Sequence, residues 1–273
     1  MCTTDIHDTR YSWLRLLITL AIGLVANASM WLVVVIMPAV EIEFVLTRAE
    51  TSLPYTLSMV GFGLGNFLIG RLVDRVGIML ALIVAAIGLI TSLIIATLAR
   101  DIFELAAIHF ILGLFAAVGF APLMSDISHW FFKWRGTAMA LVASANYLSG
   151  AVWPTVLAGI LAENGWRQVY LTLTIITLVI IPIAFLLRRR VTDISQNQPS
   201  RAGSITPLSF GISPRMLQFS LGFAGIACCI AMSMPQVHIV TYCVGLGYGP
   251  VAGAEMLSLM LFGGVISRIM FGL

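Results

Sequence analysis

The segment Gly70-Arg71-Leu72-Val73-Asp74-Arg75-Val76-Gly77 constrains this chain because of what flanks it. Residues 51–70 and 76–99 contain no Asp, Glu, Lys or Arg. Each run is long enough to cross the roughly 30 Å hydrocarbon core of a bilayer as a helix. Backbone groups left unpaired in lipid are so costly that only helices and closed barrels span it. The pattern predicts a helical hairpin that crosses a membrane twice, with the charged turn in water.

Composition agrees with this. Of the 273 residues, 60% are hydrophobic and 10% charged, against about 25% charged in soluble domains. Mean hydropathy is +1.02. An integral membrane protein is predicted. Cys2, Cys228, Cys229 and Cys243 show neither metal nor disulfide spacing. Cys228 and Cys229 adjoin within an apolar run and read as small hydrophobes. No Gly-x-x-x-x-Gly-Lys motif supports nucleotide drive. No basic, aromatic-interleaved soluble surface suggests nucleic acid. No His/Asp/Glu or Ser-His cluster at membrane depth points to catalysis, so the chain is not read as an enzyme, and no cofactor or metal is expected.

The remaining runs extend the hairpin to eight spans. The first covers residues 16–40, followed by an acidic loop at 41–50. Within that loop Thr47-Arg48-Ala49-Glu50 has capping-box spacing, so a second helix is predicted to start near Thr47, with Pro54 in its first turns. Spans three to six follow at about 79–99, 105–125, within 136–162, and 168–187. Trp130-Phe131-Phe132-Lys133-Trp134-Arg135 mixes rings with cations, as at a headgroup layer. Arg188-Arg189-Arg190 ends the sixth span, and a polar linker follows. Span seven is expected at about 217–240, a Gly-rich turn at 245–253, and span eight from about 254.

Orientation follows from where the cations fall. With the head inside, one side collects Arg10, Arg15, Arg71, Arg75, Lys133, Arg135, Arg188, Arg189, Arg190, Arg201 and Arg215. The other collects Arg48, Arg100 and Arg167. By the positive-inside rule the amino terminus and the 188–215 loop are cytoplasmic, in the cell (inner) membrane.

A shift of 202 residues lays span two over span eight, with Thr56 on Ser258, Gly61 on Gly263, Asn66 on Arg268 and Gly70 on Gly272. Repeated halves are the expected architecture of secondary transporters. In this register a second charged turn would begin just past Leu273, so the chain reads as lacking its last four spans.

Gly70, Asp74, Arg75 and Gly77 fill a pattern that resembles the loop between helices 2 and 3 of major facilitator superfamily transporters. The resemblance runs through nearly the whole chain. Trp134-Arg135-Gly136-Thr137-Ala138 resembles that family's segment between spans four and five, Gly150 with Pro154 its Gly/Pro stretch of span five, and Gly165-Trp166-Arg167 its outer turn before span six. Arg268-Ile269-Met270-Phe271-Gly272 is similar to the Arg-x-x-x-Gly of the monocarboxylate and oxalate/formate branch. Animal monocarboxylate porters carry an Asp four residues before that Arg, where this chain has Gly264. The resemblance implies an all-α polytopic membrane bundle with inverted repeats. Its parts would be a six-helix amino-terminal half (1–190), a cytoplasmic linker (191–215) and two spans of the second half (216–273).

A transporter of this kind needs a polar site near mid-membrane and gates on either side. Intramembrane charge usually faces a cavity, so Arg268 is the first candidate for substrate binding. Counted from Ala254 it lies about 20 Å along its helix, where it could also anchor at the inner headgroups. Asn27, Asn66, Asn146, Tyr147 and Gln236 are candidate lining, each with an alternative as interhelical glue. Ser29 lies near Asn27. His238 reads as a proton carrier or a plain interfacial His, and His109 as interfacial. Gly70, Arg71, Asp74, Arg75, Gly77, Asp126 and Arg135 are candidate switch parts, with Asp126 expected to pair with Arg71, Arg75 or Arg135. The alternative for the turn is a simple topology signal. The resemblance implies a secondary transporter for a small solute, an organic anion such as a monocarboxylate, with H+ as coupling ion and the lipid bilayer as its setting. A truncated inactive fragment, or a carrier of an unrelated solute or drug, stands beside it.

Overall fold

The computed structural model describes residues 7–189 and 213–272. Among the described residues all regular structure is helical, in eight stretches long and apolar enough to cross a membrane. These are Arg10–Glu43, Arg48–Val76, Ile78–Ala96, Ile102–Ser128, Arg135–Asn164, Trp166–Leu187, Arg215–Gly245 and Gly249–Met270. The chain is an all-α polytopic membrane bundle. Cys2, Arg190, Arg201 and most of the expected linker lie outside the described residues.

The first span departs from expectation at both ends and in the middle. It is two helices, α1 (Arg10–Ala26) and α2 (Ala28–Glu43), hinged at Asn27. From Ala28 to Met37 it is buried on every side, the mark of a helix that runs through the centre of a bundle. Its start lies at Arg10 rather than residue 16, so Arg15 sits inside the helix and is buried. The cation is tolerated there because a carboxylate from the fourth span meets it.

The second span opens with the expected cap. Thr47 accepts from the Glu50 N–H, and Glu50 returns the bond to Thr47 N, starting α3 (Arg48–Thr51). After Ser52, α4 (Leu53–Val76) begins with Pro54 in its first turn. The charged segment is not a loop. Residues 70–76 continue α4, because Leu72 and Val73 stay packed against the core while Arg71, Asp74 and Arg75 face outward. The chain reverses on Gly77 alone, with φ at +86° and ψ at 165°, and α5 (Ile78–Ala96) follows at once. That backbone region is essentially open only to glycine. Gly165 does the same between spans five and six at φ +79°.

The fourth span is bent. Helix α6 (Ile102–Ala116) tightens through residues 117–119, turns at Phe120 and resumes as α7 (Ala121–Ser128). Pro122, in the first turn of α7, lacks the amide that a continuous helix would need. Gly61 and Gly65 of α4 lie so close to the backbone of α6 that a Cβ would stand 2.0–2.1 Å from the Phe110 and Leu114 carbonyl oxygens. Small residues four apart permit such backbone contact in membranes.

Helix α8 (Arg135–Asn164) carries span five. Helices α9 (Trp166–Leu178) and α10 (Ile180–Ala184), with a closing turn at 185–187, make span six. Helix α11 (Pro214–Gly245) is span seven and α12 (Gly249–Gly272) span eight. The Gly-rich turn is shorter than expected, because Gly249 already starts α12. Helix α12 packs along α8, and α11 along α12.

Candidate functional site

A cavity of about 500 Å³ opens among α2, α4, α8, α11 and α12, with Phe120 at the bend of span four. Arg268 is its cation. The guanidinium lies 4.3 Å from the centroid of the Tyr147 ring, and Nη1 donates to the Ala143 carbonyl at 3.4 Å. Helical side chains lean towards the amino-terminal end of their helix. The contact agrees, since Tyr147 packs on Gly264, one turn before Arg268. Because α12 starts at Gly249, Arg268 stands about 28 Å along it, and its side chain reaches back into the bundle rather than on towards the helix end.

Gly264 explains how this fits. A Cβ there would stand 2.5 Å from Cδ1 of Tyr147. The ring that stacks on Arg268 occupies the space an Asp at 264 would need. Tyr147 is held further by its hydroxyl, which donates to Met232 Sδ at 3.5 Å. The neighbouring Trp31 Nε1 donates to the Asn146 carbonyl at 3.1 Å. No carboxylate lines the cavity, and no ion pair reaches Arg268 among the described residues.

Of the expected lining, Arg268, Asn146, Tyr147 and Gln236 meet at this cavity. Asn27 and Asn66 do not. Asn27 is fully buried at the α1–α2 hinge and donates to the Gly23 carbonyl at 2.7 Å and the Gly119 carbonyl at 3.0 Å. Asn66 donates to the Phe62 carbonyl of its own helix at 2.8 Å. Ser29 bonds back to the Ala26 carbonyl, and His238 is exposed on α11. His109 corrects its interfacial reading: it is fully buried, with Nε2 2.7 Å from the Tyr170 hydroxyl. The residues that sequence reasoning missed are mostly apolar or aromatic: Trp31, Tyr55, Phe62, Phe120, Ile230 and three methionines, with Ser233 the polar exception. Nothing local separates them from ordinary core. Cys228 and Cys229, read as small hydrophobes, are exposed and line the cavity.

The expected partners of Asp126 are also corrected. Asp126 is forked by Arg15, with Nε to Oδ2 at 2.8 Å and Nη2 to Oδ1 at 2.9 Å. Arg15 donates further to the carbonyls of Leu187 at 3.3 Å and Arg189 at 3.0 Å, and lies 4.6 Å over Trp130. One side chain joins the start of span one to the ends of spans four and six. Arg71 instead lies 3.9 Å over Phe67, and Arg71, Asp74, Arg75 and Arg135 are all exposed. Nearby, Asp8 accepts from the backbone N–H groups of Phe132, Lys133 and Trp134. Desolvation works to raise its pKa, but these bonds together hold it below the ordinary value of 3.8. At the opposite end, Arg167 pairs with Glu43 at 2.8 Å, lies over Trp166 and reaches the Ala99 carbonyl.

The family model of the Major Facilitator Superfamily matches residues 19–273. The chain is 25% identical over 231 residues to the MFS-type transporter pytF of Aspergillus terreus, covering 83% of this chain and 75% of that protein. It is 23% identical to the agnestins efflux protein AgnL12 of Paecilomyces divaricatus, over 76% of this chain and 47% of that one. It is 27% identical to human monocarboxylate transporter 6, over 60% of this chain and 33% of that one. The chain thus spans half or less of the length of two of these three relatives.

Proposed function

Because the chain belongs to the major facilitator superfamily, we propose that it serves as a secondary transporter that moves a small organic anion, such as a monocarboxylate, across the cytoplasmic membrane by alternating access. One observation carries the anion part. Arg268 stands over Tyr147 in a cavity that no carboxylate lines among the described residues. A guanidinium can hold a carboxylate by two parallel hydrogen bonds. The name of the human relative, monocarboxylate transporter 6, is in keeping with this reading.

Protons are the coupling ion in this proposal, and the amino terminus and the 188–215 loop face the cytoplasm. Residues 70–77, Asp126 and Arg135 lie at that face, where a gate would act. A second reading, transport of an unrelated small solute or drug, is favoured by the name of the agnestins efflux protein among the relatives. The test is uptake of labelled carboxylates by proteoliposomes holding this chain, with and without R268A, under an imposed pH gradient. A loss of about tenfold or more in R268A is expected. Equal uptake by both forms overturns the anion site, and uptake indifferent to the gradient overturns proton coupling.

A further inference from the structure

The walls around Arg268 bear on the body of the anion as well as its charge. Five rings face the cavity, from Trp31, Tyr55, Phe62, Phe120 and Tyr147, and sulfur from Met30, Met59, Met232, Cys228 and Cys229 fills much of the remainder. Two polar groups among them are already engaged, Trp31 Nε1 with the Asn146 carbonyl and the Tyr147 hydroxyl with Met232. The Ser233 hydroxyl is engaged too, with the Ile230 carbonyl. What is offered to a ligand is one cation, the Asn146 and Gln236 side-chain amides and the Tyr55 hydroxyl, set in walls otherwise made of rings and sulfur.

We infer that the substrate is an amphiphilic organic anion with a bulky, ring-bearing apolar body, rather than a short carboxylate. This rests on reading Arg268 as the anion-binding group. A cavity of about 500 Å³ lies in the range that buries drug-sized ligands. A three-carbon acid bound at Arg268 would leave most of that space as water against aromatic faces. A flat body displaces that water and stacks on the rings. Methionine walls are flexible and contact aromatic edges favourably, so the site accommodates a series of shapes instead of one. Tyr147 joins the two ends of the ligand, stacking on Arg268 from one side while facing the cavity.

The test uses the full chain in lipid nanodiscs and four probes: lactate, benzoate, 2-naphthoate and the neutral 2-naphthamide. Affinity is expected to rise about tenfold or more from lactate to naphthoate, as apolar area is buried. Naphthamide should bind about tenfold more weakly than naphthoate, and R268Q should erase that difference while R268K keeps part of it. F120A should weaken naphthoate by a larger factor than it weakens lactate. In the unaltered chain, naphthoate should slow maleimide labelling at Cys228 and Cys229, followed by peptide mass spectrometry. Lactate binding as tightly as naphthoate, with both lost in R268Q, overturns the inference and leaves the anion site standing. Naphthamide matching naphthoate, with R268Q indifferent to both, overturns the anion site and this inference together. Naphthoate that binds without slowing the labelling puts its body elsewhere and also overturns the inference.

Discussion

Two arginines tie the six-span bundle together at its opposite ends, and they do it in the same way. Arg15 joins spans one, four and six through Asp126 and two carbonyls. Arg167 joins spans one, three and six through Glu43 and the Ala99 carbonyl. Each also lies on a tryptophan, Trp130 or Trp166. The difference is water. The side chains of Arg15 and Asp126 are 1% and 15% exposed, and those of Arg167 and Glu43 are 45% and 40% exposed. A dry ion pair is dangerous to break, because the survivor is stranded. A wet one is nearly free to separate. Separating the Arg15 pair is therefore the costlier change and separating the Arg167 pair the cheaper one.

The largest effect that tests this contrast is D126A. It should lower stability by about 3–5 kcal/mol, the range for stranding one partner of a buried pair, read by thermal unfolding in detergent. Replacing both partners at once, as R15M with D126L, should recover most of that loss, since an apolar pair needs no counter-charge. If D126A unfolds with the unaltered chain, the pair carries no structural weight.

Acid supplies a middle-sized effect at the same end. Asp8 has a depressed folded pKa, so its contribution is complete above the ordinary Asp value and is lost as pH falls through the lower folded value. The apparent melting temperature should therefore decline below about pH 4, and D8N should flatten part of that decline. A D8N profile parallel to the unaltered one would show that these three backbone bonds do not couple to folding.

The smallest effect belongs to the other clamp. E43Q should change stability by about 0–1 kcal/mol, as exposed pairs do. Added salt should shrink the difference further by screening. A loss as large as that of D126A would erase the contrast between the two ends.

Much of the scaffold was legible beforehand. The eight spans follow from uncharged runs, and the Thr47–Glu50 cap from its spacing. The charged segment was legible as a boundary but not as helix, because an exposed charged turn and an exposed last helical turn have the same composition. Packing of Leu72 and Val73 decided between them. Arg268 stood out in the sequence as a charge within an apolar run. Its contact with Tyr147, and the clearance at Gly264 that allows it, did not.

Hydrophobic length is a local property, summed residue by residue along one helix, so the chain alone determined how many apolar spans it has and where each starts and stops to within about six residues. Which polar groups meet is not local. Arg15 finds Asp126 across 111 positions only because the rotation and register of two helices bring both to one buried point. A turn of one helix by a single residue would send either side chain elsewhere, so that choice belongs to the packing of the whole bundle.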